Sequence, residues 1–143
     1  MKEAIFVDTG VIIDFLIDHI PFSQQSAEMF VLAEKEEIVA NVSSLCFSNI
    51  FYVLRKLVGF EKAMELLQKL ESITEILPVG KMTIRQALAE RFADFEDGIQ
   101  NFTAMQQPDI RKIITRNVQD YKKSEIIIQT PEEFIALYLK LGK

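Results

Sequence analysis

Two kinds of hydrophobic pattern alternate along the chain. Short apolar runs typical of β-strands occur at residues 4–7, 38–42, 73–77, 113–115 and 126–128. Apolar residues spaced three and four apart predict helices over residues 11–20, 26–35, 45–57, 61–70, 84–92, 98–105 and 130–141. Strands alternating with helices are typical of a parallel sheet with helices on both faces. We therefore predict an α/β fold, a three-layer α/β/α domain over residues 1–143 around a mostly parallel sheet of about five short strands.

Helix start signals indicate where two of these predicted helices begin. Thr130-Pro131-Glu132-Glu133 combines an N-cap residue, a proline at the first helical position and a glutamate at the third. The last helix is therefore predicted to begin there and to run to about Leu141. Ser43 or Ser44 is a candidate cap for the helix after the second strand.

Composition narrows the class of protein. The 143 residues suffice for one hydrophobic core, and 49% of them are hydrophobic. A net charge of −5 argues against indiscriminate nucleic-acid binding, although a local basic groove remains compatible with it. One cysteine, Cys46, cannot form an intramolecular disulfide, and no apolar run approaches the ~20 residues that span a bilayer. With no secretion signal evident at the N-terminus, we expect a cytoplasmic protein without membrane contact.

Acidic residues follow or flank the predicted strands. Asp8 ends the first strand, and open sheets of this kind bind ligands beyond the carboxyl ends of their strands. Asp94, Glu96 and Asp97 lie together near a predicted helix start, and Asp120 follows the fourth strand. Carboxylates that converge repel one another unless a cation lies among them, and Mg²⁺ or Mn²⁺ prefers oxygen ligands.

Simpler interpretations exist for the same side chains. Asp94 and Glu96 are typical of solvated charges that complement a helix dipole, and Asp97 could cap the helix at Gly98. Asp14, within the first helix, is either a surface residue or a neighbour of the site's ligands, and we expect it at the surface. His19, the only histidine, is expected to be a surface residue without a partner.

The order and spacing of five segments nevertheless resemble a PIN domain, particularly the VapC-like toxins and their small prokaryotic relatives. The segments are FVDTGVIIDFL, VSSLCFSNIFYVLRK, FADFEDGIQ, IITRNVQDY and QTPEEFI, which extend over nearly the whole chain. The first and third acids of the family match Asp8 and Asp97. Asn49 and Asn117 stand where the family has its second and fourth acids.

The resemblance implies a metal-dependent ribonuclease. Asp8 and Asp97, helped by Asp94 or Asp120, would hold one Mg²⁺ or Mn²⁺ ion. Asn49 and Asn117 would orient ligands or water, and Thr115 would fix the strand end. Thr9 would cap the first helix near a phosphate. The basic residues would contact backbone phosphates of RNA; these are Arg111, Lys112, Arg116, Lys122 and Lys123.

Three hypotheses follow for function. The leading one is a PIN-type endoribonuclease acting on RNA, the toxin of a toxin–antitoxin pair, with an antitoxin protein as partner and a homodimer formed through apolar surface in the first half. The second keeps the fold as a weakened or inactive module that binds RNA or protein, because Asn49 and Asn117 carry no charge. The third is a phosphohydrolase with Asp8 as nucleophile; Gly10 stands where that class has a second aspartate.

Overall fold

A computed structural model describes residues 2–142 as five strands, seven α-helices and one 3₁₀-helix. The strands are β1 (Glu3–Val7), β2 (Ile38–Ser43), β3 (Glu75–Leu77), β4 (Ile110–Ile114) and β5 (Ile127–Gln129). The α-helices are α1 (Thr9–Leu16), α2 (Ser23–Glu34), α3 (Cys46–Val58), α4 (Phe60–Ile73), α5 (Lys81–Glu90), α6 (Phe95–Ala104) and α7 (Pro131–Lys140). The 3₁₀-helix spans Val118–Tyr121 and follows β4.

The five strands form one parallel sheet in the order β3-β2-β1-β4-β5. The strand β1 lies at its centre, and Asp8 continues the ladder because its backbone N–H donates to the Ile114 carbonyl at 2.9 Å. The strands β2 and β3 lie on one side of β1, and β4 and β5 lie on the other side. This change of side in the strand order leaves a crevice at the carboxyl edge of the sheet. The predicted α/β fold class is therefore confirmed, and Asp8 lies at the position where such sheets bind ligands.

Side chains of β1 alternate between two hydrophobic cores, as the period of a strand requires. Ile5 and Val7 pack with helices α1 to α4 and α7 on one face of the sheet. Phe6 packs on the other face with residues of α5, α6 and the 3₁₀-helix. Three layers result, and the acidic segment of α6 comes close to the end of β1 because α6 covers this second face.

Several boundaries differ from the sequence-based prediction, and one short helix was not predicted. Ile73 belongs to the end of α4 rather than to the third strand, and Thr74 ends the helix with its hydroxyl donating to the Leu70 carbonyl at 2.7 Å. The 3₁₀-helix after β4 was not predicted, because four residues carry too little periodicity. The capping box of α7 is confirmed, with Thr130 and Glu133 each bonding the other's backbone N–H. Within residues 2–142, no helix has the length and apolarity to cross a bilayer.

Candidate active site at the carboxyl edge of the sheet

Asp8 is buried at the end of β1 and is held by three side chains. Its Oδ2 accepts a hydrogen bond from the Thr115 hydroxyl at 2.7 Å, which ties β1 to the end of β4. Its Oδ1 accepts from Gln100 Nε2 at 2.7 Å and from the Tyr121 hydroxyl at 3.3 Å. The carboxylate is therefore oriented by groups from three different elements.

Asp97 is buried beside Asp8 and shares two of these donors. Gln100 Nε2 lies 3.4 Å from Asp97 Oδ1, and the Tyr121 hydroxyl lies 3.2 Å from the same oxygen. The two carboxylates thus face one another across Gln100 and Tyr121. The structure brings Asp8 and Asp97 together, as the sequence analysis expected.

The pair carries more negative charge than its surroundings balance. Burial is the main cause that raises the pKa of Asp8. Burial, followed by the charges of Asp8 and Asp94, raises the pKa of Asp97 to about 7. Within residues 2–142, no lysine, arginine or histidine forms an ion pair with either carboxylate. A bound cation would lower the pKa of both carboxyl groups, because an opposite charge favours the ionised form.

The donor set suits a hard divalent ion that keeps most of its water. In the described part of the chain, no group of three acidic, histidine or cysteine side chains is arranged to hold a metal ion. Two converging carboxylates remain, and Mg²⁺ is usually bound through one or two carboxylates with several waters. The residues present therefore fit Mg²⁺ or Mn²⁺ and do not fit an ion caged by protein ligands alone.

Asn49 and Glu96 form a second pair at the edge of the site. The Asn49 amide on α3 donates a hydrogen bond to Glu96 Oε2 on α6, and both side chains are partly buried. Burial chiefly raises the pKa of Glu96, and the charge of Asp8 raises it further. Glu96 is thus close to the site rather than a fully solvated charge. The carboxylate that contacts the Asn49 amide therefore comes from the neighbouring helix α6.

Asp94 and Asp120 occupy peripheral positions. Asp94 is the N-cap of α6, where its Oδ1 accepts from the backbone N–H groups of Glu96 at 2.9 Å and Asp97 at 3.4 Å. The cap of this helix is thus Asp94, whereas the sequence analysis considered Asp97 for that role. Asp120 lies within the 3₁₀-helix and forms no hydrogen bond with the carboxylate pair. Both are near enough for their charges to raise the pKa of Asp97.

Three other predicted site residues, Thr115, Thr9 and Asn117, differ in how they contact the carboxylate pair. Thr115 contacts Asp8 directly. Thr9 does not cap α1, whose N-cap residue is Asp8; its hydroxyl and its backbone N–H instead contact Gln100 Oε1, each at 3.1 Å. The side chain of Asn117 is exposed, and its backbone N–H donates to the Thr115 hydroxyl at 3.0 Å. Asn117 therefore supports the site through Thr115.

The expectation that Asp14 lies at the surface is wrong. Asp14 is buried and accepts hydrogen bonds from Arg116 Nε at 2.7 Å and Nη2 at 3.2 Å. His19 has a partner after all, since its Nδ1 lies 2.8 Å from Asp14 Oδ1. The Arg116 guanidinium also lies over the Phe22 ring, 3.9 Å from its centroid. The sequence indicated a solvated Asp14 because its partner, Arg116, follows 102 residues later in the chain.

The predicted basic run does not form one face. Lys112 forms an ion pair with Glu3 at 2.9 Å on the neighbouring strand, within the body of the sheet. Lys123 donates to the carbonyls of Glu90 and Arg91 at the end of α5. The run is dispersed because Lys112 lies within β4, whereas Lys123 follows the 3₁₀-helix. Arg116 directly follows Thr115, whose hydroxyl contacts Asp8, so it remains beside this strand end.

Gln100 and Tyr121 are the residues that sequence reasoning missed. Gln100 lies three positions after Asp97, so one turn of α6 places both on the same helix face. That spacing was a usable signal. Tyr121 lies in the unpredicted 3₁₀-helix, and no local pattern indicated that its hydroxyl would reach Asp8.

Known proteins resemble this chain in sequence. A model of the PIN domain matches residues 4–119 of the chain. A curated relative named Ribonuclease VapC1, from Aquifex aeolicus, is 30% identical over 142 residues, which cover 93% of this chain and 94% of that protein.

Solved structures share the fold. The VapBC2 complex of Rickettsia felis, bound to a DNA fragment from its promoter, gives a TM-score of 0.65 at 15% identity and covers 88% of this chain and 96% of that one. VapC20 of Mycobacterium tuberculosis, described as a toxin that cleaves the sarcin-ricin loop, gives 0.59 at 18% identity and covers 76% and 86%.

Proposed function

The chain belongs to the PIN domain family, and from that premise we propose that it is a divalent-metal-dependent endoribonuclease that hydrolyses RNA phosphodiester bonds. The observation that carries the proposal is the pairing of Asp8 and Asp97 through shared donors at the carboxyl edge of the sheet. The name of the relative from Aquifex aeolicus supports the ribonuclease activity.

In the proposed mechanism, Asp8 and Asp97 would hold one Mg²⁺ or Mn²⁺ ion, and the ion would supply activation of water and stabilisation of charge on the phosphodiester. Thr115 holds Asp8 Oδ2, which directs Oδ1 toward Asp97. Gln100 and Tyr121 contact both Oδ1 atoms and so hold the two carboxyl groups close together.

Glu96 adds a carboxylate at the edge of this site without being grouped with the pair as a ligand of the ion. Asn49 holds its Oε2, and its raised pKa follows from burial and from the charge of Asp8. Glu96 would thereby supply the negative charge that Asn49 lacks. Asp94 and Asp120 contribute longer-range charge, and Asn117 positions Thr115.

We further propose that the protein is the toxin of a toxin–antitoxin pair and forms a homodimer. The relatives with VapBC names support an antitoxin protein as partner. Large apolar side chains on α3 and α4 are exposed, among them Tyr52 at 64%, Leu57 at 59% and Phe60 at 53%. Exposed apolar surface of this extent is typical of interaction sites.

A second candidate is a PIN-like module that binds RNA or protein without cleaving. The observation that favours it is the lack, within residues 2–142, of three metal-ligating side chains grouped together. Asn49 and Asn117 also favour this second candidate, because their uncharged amides add no negative charge that would attract a cation.

Cleavage of a mixed-sequence RNA distinguishes the two candidates. The protein is incubated with labelled RNA in Mn²⁺, in Mg²⁺ and in EDTA, beside Asp8→Asn and an Asp109→Asn control on the exposed surface. We expect cleavage in metal by the parent and the control, and none by Asp8→Asn or in EDTA. RNA binding without cleavage in either metal would favour the second candidate.

A further inference from the structure

A cleft of about 250 Å³ lies between the start of α2 and the start of α7, and residues that follow the end of β4 line it. Arg116 and Asn117 form one wall, Phe22 and Gln25 another, and Glu132 lies at its edge. Thr115, which contacts Asp8, directly precedes Arg116 in the chain. A nucleotide next to a phosphate held at the acid pair could therefore reach the cleft.

The Arg116 guanidinium is a fixed planar surface in this cleft. Its Nε and Nη2 atoms both donate hydrogen bonds to buried Asp14, and its Cζ atom lies over the Phe22 ring, 3.9 Å from the ring centroid. Single-stranded RNA bases stack on aromatic rings and on arginine planes. Asp14 also balances the charge of Arg116, and Glu132 is anionic, so the cleft is unsuited to a phosphate group.

Two side-chain amides point to recognition of a base edge. Within residues 2–142, the amides of Gln25 and Asn117 form no hydrogen bond with another side chain or with the backbone; Asn117 uses only its main chain, toward Thr115 and Asp120. A carboxamide pairs well with adenine, which offers a donor and an acceptor side by side. Glu132 can only accept, so it favours a base with an exocyclic amino group over uracil.

We propose that this cleft binds one unpaired RNA base carrying an exocyclic amino group, with adenine preferred over uracil. The proposal rests on the proposed ribonuclease function and adds a base preference to it. The platform is the Arg116–Phe22 stack, and the base-reading groups are Gln25, Asn117 and Glu132.

Binding is tested in EDTA, where no metal-dependent cleavage occurs. Fluorescence anisotropy compares a labelled nine-nucleotide RNA of uridines with the same RNA carrying one central adenosine. We expect the adenosine to raise the affinity of the parent about tenfold. Gln25→Ala and Glu132→Gln should remove that difference, whereas Gln24→Ala, an exposed neighbour outside the cleft, should retain it. Thermal denaturation verifies that every variant is folded.

A parent without preference for the adenosine RNA would overturn the proposal. The same preference in Gln25→Ala and Glu132→Gln as in the parent would overturn it as well. Mapping of Mn²⁺-dependent cleavage sites separates this proposal from the function on which it rests. Preference in EDTA without cleavage in Mn²⁺ would contradict the ribonuclease and support the base site, while cleavage without preference would do the reverse.

Discussion

Removing the charge of Asp97 should stabilise the metal-free protein at neutral pH. The folded structure raises the pKa of Asp97 from its ordinary value of 3.8 to about 7, chiefly by burial. A carboxyl whose folded pKa is raised stabilises the fold below its unfolded pKa and loses that contribution as the pH rises through the folded pKa. The loss therefore begins near pH 4 and is complete above about pH 7.

The size of the effect follows from the shift. A pKa shift of this size corresponds to a loss of at most about 4 kcal/mol in the free energy of unfolding. Asp97→Asn should recover about 2 kcal/mol of it, because the amide must also be buried and hydrogen-bonded. For a protein of this length, that gain is expected to raise Tm by about 4–8 °C.

Thermal denaturation in EDTA at pH 5 and pH 8 tests this reasoning. We expect the Tm advantage of Asp97→Asn over the parent to grow from pH 5 to pH 8. Asp109→Asn, at an exposed acid, should leave Tm nearly unchanged at both values. A less stable Asp97→Asn variant at pH 8, or an advantage that does not grow with pH, would refute the reasoning. Mn²⁺ should raise the Tm of the parent and leave that of Asp97→Asn nearly unchanged.

Three further changes probe other contacts. Arg116→Ala leaves buried Asp14 with His19 alone and should destabilise the protein by about 3–5 kcal/mol in urea unfolding, whereas a loss under 1 kcal/mol would mean that the pair is solvated. Thr130→Ala removes half of the α7 capping box and should cost about 1 kcal/mol by the same measurement, with no loss counting against the cap. Asn49→Glu sets a second carboxylate against Glu96, so it should lower Tm in EDTA and tighten Mn²⁺ binding in calorimetry; unchanged binding would separate position 49 from the site.

Much of the fold could be predicted from the chain because its signals are local. The apolar runs of β1 and β2 and the capping box of α7 are determined by neighbouring residues, and the structure has them where they were expected. Ile73 was misassigned because an apolar residue ending a helix resembles one starting a strand. Only the hydrogen bond of Thr74 to the preceding turn separates the two.

The site was less predictable because its contacts join distant segments. Asp8 and Asp97 came from a resemblance together with the rule for strand ends, and the structure brings them together. The hydrogen bond that Arg116 donates to Asp14 joins residues 102 positions apart, and the one from the Tyr121 hydroxyl to Asp8 joins residues 113 positions apart. No spacing within a helix or a strand encodes such pairs.

Calorimetric titration of Mn²⁺ into the parent, Asp8→Asn and Asp97→Asn tests the central claim most directly. The claim is that the two carboxylates hold one divalent ion between them. It predicts binding of about one ion by the parent and loss of that binding in both variants, each verified as folded by its thermal transition. Binding that persists in either variant, or no binding by the parent at millimolar Mn²⁺, would contradict it.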